Sequence, residues 1–494
     1  MSQNFVHFKN PCTRALCLLV QKCLSRSQLD QIITQLIISA SIFNQSTTRK
    51  ILTLLTTPPN ANISNAYTLF SLIPFASTSL YNTMIKVFIE HNQPKNVLFM
   101  CRKMMGCGHF PNNYTFSFVF RACGEICDGS LGLMYHTLVV KLGWENYDFV
   151  KNGLIHFYAG NNRMDFARSL FDECTFRDVV TWSCMINGYL KCGELSLAKE
   201  LFDQMPEKNA VSWSVMINGC SQMGFFNEAR EFFVDMMDAG FRPNRAAVVG
   251  ALTACSFLGN LDQGRWIHGY VERSEVELDT VLGTALVDMY AKCGCMDMAC
   301  HVFEEIPCKD IVAYTSLISG LADHGVGIKV LEVFERMKTE GIRPNAVTFV
   351  GVLSACSRAG LVGEGVGIFE SMKVEYGIEP TVKHYGCLVD LFGRSGRLDQ
   401  AKDVLRKMPM EPDQYVVGAL LNACRVHGDM DIEQEVVKWL EQTIPLSSGI
   451  HVLISNIYAT SDQWDNVQKV RERMQEKQVE KTPGCSFVTT NDVV

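Results

Sequence analysis

Residues 311–345, IVAYTSLISGLADHGVGIKVLEVFERMKTEGIRPN, contain two short amphipathic segments. The apolar stripe of the first consists of Tyr314, Leu317, Ile318 and Leu321. The stripe of the second consists of Leu331, Phe334 and Met337. Both stripes have helical spacing, and Gly325, Gly341 and Pro344 are typical helix ends. The segment therefore predicts a pair of helices that is too small to bury its own apolar faces.

The same pattern recurs along the chain in consecutive units of about 31 to 36 residues. The units are 78–112, 113–147, 148–178, 179–209, 210–244, 245–279, 280–310, 311–345, 346–381 and 382–413. A period of this size predicts an all-α fold, a right-handed α-solenoid of stacked helix-turn-helix repeats. Each unit then buries its apolar stripe against its neighbours.

Several places in the unit, counted from its first residue, keep one kind of side chain. Position 4 is aromatic in Tyr81, Trp182, Trp213 and Tyr314. Position 15 is Asn92, Asn162, Gly193, Gly224, Gly294, Gly325 and Gly396. Position 20 is Ala167, Ala198, Ala229, Ala299 and Ala401, and position 24 is Phe171, Phe202, Phe233, Phe303 and Phe334. We expect left-handed turn residues at position 15, because Gly and Asn adopt that conformation most readily, and core residues at the others.

The ends of the units carry a resemblance to a known family. Long units end in Gly-Phe-Arg-Pro-Asn at 240–244 and in Gly-Ile-Arg-Pro-Asn at 341–345, and a short unit ends in Met-Pro-Glu-Lys-Asn at 205–209. These endings and the alternation of unit lengths resemble plant pentatricopeptide repeat proteins of the PLS class, E subclass. The resemblance implies three regions. They are an N-terminal segment at 1–44, a repeat array at 45–413 and C-terminal E motifs at 414–494.

In the family that this sequence resembles, the side chains at position 5 and at the last position of a repeat face one RNA base. This sequence has Asn82 with Asn112, Asn152 with Asp178, Ser183 with Asn209, Ser214 with Asn244, Thr284 with Asp310 and Thr315 with Asn345. Asp accepts the imino proton of U or G, whereas the Asn amide donates to the bare ring nitrogen of C or A. The alternative is that Asn and Asp only cap the next helix, while Ser and Thr are solvated.

Position 2 supports the base-reading interpretation. The family places an apolar side chain there to sandwich bases between adjacent repeats, and this sequence has Phe149, Val180, Val211, Val281 and Val312. Ser79 and Lys383 depart from that pattern. Four further position-5 and last-position pairs leave the base open, namely Ser117/Tyr147, Val249/Asp279, Val350/Thr381 and Gly386/Asp413.

Residues 414–494 keep the spacing of helix pairs, with Trp464, Val467 and Val470 expected on one face. In the family, this tail marks site-recognition factors for organellar C-to-U RNA editing, which recruit a DYW-type deaminase and other editing factors in trans. A role in organellar RNA processing or stability remains an alternative. A second alternative is a protein-binding scaffold of the tetratricopeptide kind, but its repeat is a regular unit of about 34 residues.

The net charge of -7 argues against a broad basic surface, so any RNA binding must depend on base contacts and a local groove. No nucleotide-binding, hydrolase or metalloprotease motif occurs, and the H-x-E with P-C-x-x-C signature of zinc deaminases is missing. The chain ends at Val494, soon after the point where a deaminase domain of the family would begin. We expect no enzyme activity, cofactor or metal.

None of the 20 cysteines forms a C-x-x-C pair. Cys123, Cys255, Cys356 and Cys424 occupy position 11 of a first helix, and Cys192 and Cys293 precede the turn glycine. We expect small buried core residues and a reducing compartment.

Residues 1–29 contain Lys9, Arg14, Lys22 and Arg26 but no acidic residue. That composition is typical of a transit peptide to a mitochondrion or chloroplast, and we favour the mitochondrion. The alternative is a degenerate L-like repeat at 12–44. Residues 51–85 carry no charge, but Pro58, Pro59 and Pro74 break the run, so no membrane span is expected.

Overall fold

The computed structural model describes residues 63–73, 76–274, 276–427, 448–460 and 463–476, together with residues 49 and 52. All regular secondary structure in this part of the chain is α-helical. The helices are α1 (Ile63–Ser71), α2 (Thr78–Glu90), α3 (Pro94–Gly106), α4 (Asn113–Glu125), α5 (Gly129–Leu142), α6 (Asp148–Gly160), α7 (Met164–Glu173), α8 (Val179–Lys191), α9 (Leu195–Gln204), α10 (Ala210–Gln222), α11 (Phe226–Asp238), α12 (Arg245–Leu258), α13 (Leu261–Arg273), α14 (Thr280–Lys292), α15 (Met296–Glu305), α16 (Ile311–Asp323), α17 (Gly327–Thr339), α18 (Ala346–Ala359), α19 (Val362–Val374), α20 (Val382–Arg394), α21 (Leu398–Lys407), α22 (Gln414–His427), α23 (Ser448–Thr460) and α24 (Trp464–Glu476).

The helices form pairs, and each predicted unit from 78 to 413 contains one pair. The first helix of every pair begins at the first residue of its predicted unit. The chain divides into two compact units, residues 1–250 and 251–494. In the first unit, α4, α6, α8 and α10 pack in succession, and each also packs on the second helix of its own pair. In the second unit, α14, α16, α18, α20 and α22 pack in succession, and α14, α16, α18 and α20 each also pack on the second helix of their own pair. The predicted solenoid of stacked helix pairs is confirmed.

Position 15 ends the first helix of each pair with a left-handed residue. All seven predicted residues have positive φ, from 55° at Asn92 to 83° at Gly224 and Gly294. The sequence prediction missed Cys127, which takes the same position and has φ 53°. A residue with a Cβ is uncommon in this region, so the turn geometry overrides the preference of the side chain.

Phe at position 24 links three of the repeats to the next one through a ring contact. Phe171 contacts Trp182 edge-on with ring centroids 4.9 Å apart, and the corresponding distances are 4.7 Å for Phe202 and Trp213 and 5.0 Å for Phe303 and Tyr314. Such edge-to-face pairs contribute about 0.5–1.5 kcal/mol beyond the burial of their area. The predicted alanines at position 20 are fully buried beside them.

The second helices differ from the prediction at a few residues. In α17 the buried stripe contains Val330, and Leu331 is only half-buried. Val467 and Val470 are buried in α24, but Trp464, its first residue, is 62% exposed. The position of Trp464 at the helix start takes its ring off the face that packs on α23.

The cysteines at position 11 are buried as predicted, at Cys123, Cys255, Cys356 and Cys424. Cys192 is exposed and Cys293 is half-buried, so the prediction was wrong for Cys192. Both are C-cap residues at the turn, and Cys293 Sγ still contacts Cys255 O of the preceding first helix at 3.8 Å.

Among the residues that the structure describes, no helix has the length and apolar character needed to cross a membrane. The predicted transit peptide and the alternative repeat at 12–44 lie outside those residues.

Candidate nucleic-acid interface

The last residue of each of the six predicted base-reading repeats caps the first helix of the following repeat, as do Asp279 and Asp413 at the ends of two repeats whose base is left open. Each of these side chains accepts a hydrogen bond from a backbone N–H in the first turn of that helix. The six residues are Asn112, Asp178, Asn209, Asn244, Asp310 and Asn345. The helix-cap interpretation therefore describes their geometry correctly. A cap of this kind contributes about 1 kcal/mol to stability.

The cap uses only one of the two terminal atoms of each side chain. Asp178 Oδ1 accepts from Thr181 N at 2.8 Å and from Thr181 Oγ1 at 2.7 Å, and Asp310 Oδ1 accepts from Ala313 N at 2.9 Å. Within the described residues, Oδ2 of Asp178 and of Asp310 accepts no hydrogen bond. The cap fixes the side chain and leaves one acceptor atom available.

The same cap leaves a donor where the residue is Asn. Asn209 Oδ1 accepts from Val211 N and Ser212 N, both at 3.0 Å. These bonds assign the oxygen to the helix and leave the amide nitrogen Nδ2 of Asn209 without a hydrogen-bond partner in the described chain. Asn and Asp thus hold a donor and an acceptor, respectively, in the same place.

A buried hydroxyl at position 3 strengthens four of these caps, and sequence reasoning missed it. Thr348 Oγ1 donates to Asn345 Oδ1 at 3.0 Å, so hydroxyl and backbone both mark that atom as the oxygen. Ser212 Oγ accepts from Asn209 N at 3.0 Å in the reciprocal bond of a capping box. The four residues are Thr115, Thr181, Ser212 and Thr348. Their signal is Asn or Asp followed three residues later by Ser or Thr.

In two repeats the position-5 residue bonds the last residue directly, and in a third the two residues are linked through the hydroxyl of Thr348. Asn82 Nδ2 donates to Asn112 Oδ1 at 3.0 Å, and Ser214 Oγ lies 2.8 Å from Asn244 Oδ1 as donor. The hydroxyls of Thr315 and Thr348 are 2.8 Å apart, and Thr348 bonds Asn345. The position-5 side chain therefore helps to hold the amide in one orientation in these repeats.

The other three pairs have no hydrogen bond between their members in the described chain. Asn152 Oδ1 accepts a long bond from Cys174 Sγ at 3.6 Å, and Thr284 Oγ1 donates to Thr280 O at 2.7 Å. Ser183 is only 9% exposed, and its hydroxyl has no partner among the described residues. Ser183 and Ser214 are not solvated, contrary to the alternative interpretation.

The five position-2 side chains form a repeated set of exposed apolar groups. Their exposed fractions lie between 54% at Val281 and 61% at Val180. Each occupies the second residue of a first helix, close to the last residue of the preceding repeat. Apolar groups left exposed in a regular pattern indicate an interaction surface.

The titratable groups of the described chain offer no activated nucleophile at this surface. Burial raises the pKa of the Cys356 thiol to about 11 and that of Cys123 to about 12. Burial also lowers the pKa of His268, which bonds Tyr290 Oη at 2.9 Å. No group of three or more His, Cys, Asp or Glu able to hold a metal occurs among the described residues.

Comparison with known proteins assigns the family. The profile of the PPR repeat family matches residues 177–210 and 309–358, PPR repeat profiles match 79–109, 211–241, 284–311, 347–376 and 376–409, and the E motif profile matches 427–489. The pentatricopeptide repeat-containing protein At5g66520 of Arabidopsis thaliana is 41% identical over 472 residues, which are 95% of this chain and 76% of the relative. This chain is a pentatricopeptide repeat protein.

Other relatives of this pentatricopeptide repeat protein carry an organelle in their names. At5g59200, chloroplastic, of Arabidopsis thaliana is 41% identical and covers 88% of this chain and 79% of the relative. At1g77170, mitochondrial, of the same organism is 35% identical, and the alignment covers 83% of this chain and 82% of the relative. The crystal structure of PPR10, which is from maize, in complex with an 18-nt psaJ RNA element aligns over 94% of this chain and 77% of that chain. The TM-score is 0.53 and the identity 17%, so this likeness shows the solenoid fold.

Proposed function

We propose that this pentatricopeptide repeat protein binds single-stranded RNA and that six of its repeats each select one base. The observation that supports this most is the capping side chain at the end of each of these six repeats, which has one atom committed to the helix and the other available. Asn leaves an N–H donor and Asp leaves an acceptor, as at Asn209 and Asp178. The position-2 side chains supply the apolar surfaces between which a base stacks.

The target follows from these donors and acceptors. An acceptor suits the imino proton of U or G, and a donor suits the bare ring nitrogen of A or C. A small hydroxyl at position 5 favours a purine, and Asn at position 5 favours a pyrimidine. With the N-terminal repeat at the 5′ end, repeats 78–112 to 311–345 predict pyrimidine, any base, U, A, A, any base, G, A.

We further propose that the protein selects sites for C-to-U editing in an organelle and recruits a DYW-type deaminase in trans. The E motif match at 427–489 supports the recruiting role, and the chloroplastic and mitochondrial relatives support an organellar location. The edited cytidine would lie a few nucleotides 3′ of the bound sequence. In this scheme the pentatricopeptide repeat protein supplies specificity, and its partner supplies the catalytic zinc.

The substitution Asn209→Asp tests base selection. The carboxylate keeps the cap, but it replaces the amide donor with an acceptor, so the preference at the fourth base should move from A towards G. Affinity for the original RNA should fall by about 1–3 kcal/mol, the usual effect of one mismatched contact in DNA recognition. Binding of the purified variant to the four single-base RNA variants measures both effects.

Asn209→Ser is the matched control, because Ser caps a helix about as well as Asn but presents no amide. It should lose discrimination at the fourth base while its unfolding midpoint stays unchanged. An unaltered preference for A in Asn209→Asp would mean that these residues are helix caps only.

Reconstitution separates editing from RNA stabilisation. The purified chain, a DYW-type deaminase and an RNA with a cytidine 3′ of the site are incubated together. Conversion to uridine that requires both proteins supports the editing role. Protection of the RNA from an exonuclease, with no conversion in any mixture, would instead assign the chain to RNA stability.

A further inference from the structure

Helices α4 and α6 approach each other more closely than side chains would allow. Three glycines line their contact, and a Cβ on any of them would collide with the backbone of the opposite helix. A Cβ on Gly153 would lie 2.9 Å from Ser117 Cα, one on Gly160 would lie 2.7 Å from Gly124 O, and one on Gly124 would lie 2.9 Å from His156 O. The backbones of α4 and α6 therefore touch directly.

Gly351 shows that a glycine alone does not cause this approach. It occupies the same position 6 in its repeat as Gly153 does, but a Cβ there would first meet the Ile318 side chain, at 2.9 Å. At Gly153 the neighbour is instead the backbone of Ser117, which is the position-5 residue of repeat 113–147. The close approach thus involves the residue that would have to contact the base.

The position-2 residues of these two repeats contact each other. The rings of Tyr114 and Phe149 have centroids 5.5 Å apart and an interplanar angle of 41°. A base stacked between two apolar surfaces needs roughly 7 Å between them, since each carbon contact is optimal at about 3.5 Å. The space between Tyr114 and Phe149 is too narrow for a base.

The last residue of repeat 113–147 also lacks the geometry of a base-reading residue. Tyr147 is the residue before α6, and its side chain makes no cap hydrogen bond within the described structure. Its ring packs on Trp144 with centroids 5.0 Å apart. Neither a capped amide nor a capped carboxylate is present to select a base.

We propose that repeat 113–147 takes up no base, because the Tyr114–Phe149 ring contact occupies its base slot. This inference rests on the proposed function and changes the RNA that the protein should prefer. The bound RNA passes from the base of repeat 78–112 directly to that of repeat 148–178. The second nucleotide of the predicted target is then dispensable, and a target without it fits the array.

RNA variants test this with the full, unmodified chain. An RNA that lacks the second nucleotide should bind within about twofold of the complete target or more tightly. An abasic residue at the second nucleotide should also change the Kd by less than about twofold. The same deletion or abasic residue at the fourth nucleotide, opposite repeat 179–209, should weaken binding more than about fivefold, since each lost base stack costs about 1–3 kcal/mol.

The outcomes separate this inference from the proposed function. If changes at the second and fourth nucleotides weaken binding equally, repeat 113–147 does accept a base and the inference is wrong. If neither position matters, the chain does not bind RNA base by base, and the proposed function fails first.

Gly153→Ala examines the cause of the closed slot. The added Cβ pushes α4 and α6 apart. The ratio of the affinity for the complete target to the affinity for the target without the second nucleotide should therefore rise at least about threefold in the folded variant. Gly351→Ala is the matched control and should leave that ratio unchanged. A folded Gly153→Ala variant with the same ratio as the unmodified chain overturns the glycine contact as the cause. If the variant does not fold, the RNA series alone decides.

Discussion

At the scale of single residues, helix capping and the proposed base selection use the same side chain. Asn345 shows why, because its Oδ1 accepts from Thr348 N and Thr348 Oγ1 while its Nδ2 has no hydrogen bond within the described residues. The sequence predicted the residues of the candidate site, but it could not separate the two roles, since both favour Asn and Asp. The deciding information is which atom the cap uses, and that depends on backbone geometry. The one sequence signal for the cap geometry is the Ser or Thr hydroxyl three residues after the Asn or Asp.

His156 gives a pH dependence at this scale. Its Nδ1 is buried without a partner in the described chain, and burial, aided by Arg121 and Lys191, lowers its pKa to about 4. An unfolded histidine has a pKa near 6.5, so between these values the unfolded chain binds a proton that the folded chain does not. Stability should fall as the pH decreases, by about 2 kcal/mol from this residue between roughly pH 7.5 and pH 5.

Urea denaturation at the two pH values measures the effect, with His156→Gln for comparison. The pKa values of His136, His268 and His384 are also lowered by burial, so the unmodified chain should lose more stability than His156 alone explains. The His156→Gln variant should lose less stability between the two pH values, and the difference is the contribution of His156. Equal losses in the two proteins would show that His156 is protonated without cost in the folded chain.

At the scale of helices and turns, the sequence was most informative. The first residues of the ten predicted units from 78 to 413 coincide with the starts of their first helices, because the apolar period and the turn residue at position 15 agree. Cys127 was missed because no local preference predicts a cysteine with positive φ. The close contact of α4 and α6 was missed as well, since it needs three glycines on two separate helices to face one another.

Two glycine substitutions, one at a helix end and one inside a helix, should change stability in opposite directions. Gly325 has φ 74°, so Gly325→Ala should destabilise the chain by about 1–2 kcal/mol, although no described atom would lie within 4 Å of the new Cβ. Gly367 lies inside α19 with equally open surroundings among the described atoms, so Gly367→Ala should stabilise by about 0.5–1 kcal/mol. Thermal unfolding of the two variants gives both signs. Destabilisation by both substitutions would mean that packing, and not φ, controls these positions.

At the scale of the whole molecule, charge separates two ways of binding RNA. The chain has 45 Lys and Arg against 52 Asp and Glu, so it has no overall excess of cations for the phosphates. Phosphate contacts make affinity salt-dependent, with a slope of log K against log salt of about −0.7 for each phosphate on a single strand. Base stacking and base hydrogen bonds have little such dependence.

The RNA affinity should therefore depend only weakly on salt. We expect a slope no steeper than about −2, which corresponds to about three neutralised phosphates. Fluorescence anisotropy with a labelled target, over roughly 50 to 300 mM KCl, measures the slope. A value steeper than about −3 would assign most of the affinity to the phosphates, against the proposed base-by-base mode.

The shared use of Asn and Asp as caps has a consequence for how such a protein can change over generations. A single nucleotide change in the codon converts Asn to Asp, and either residue caps a helix about equally well. Because Oδ1 of Asn209 alone carries that cap, the exchange should alter the preferred base while the fold keeps its stability. A lineage can thus acquire a new target by one inherited mutation, without passing through a misfolded ancestor.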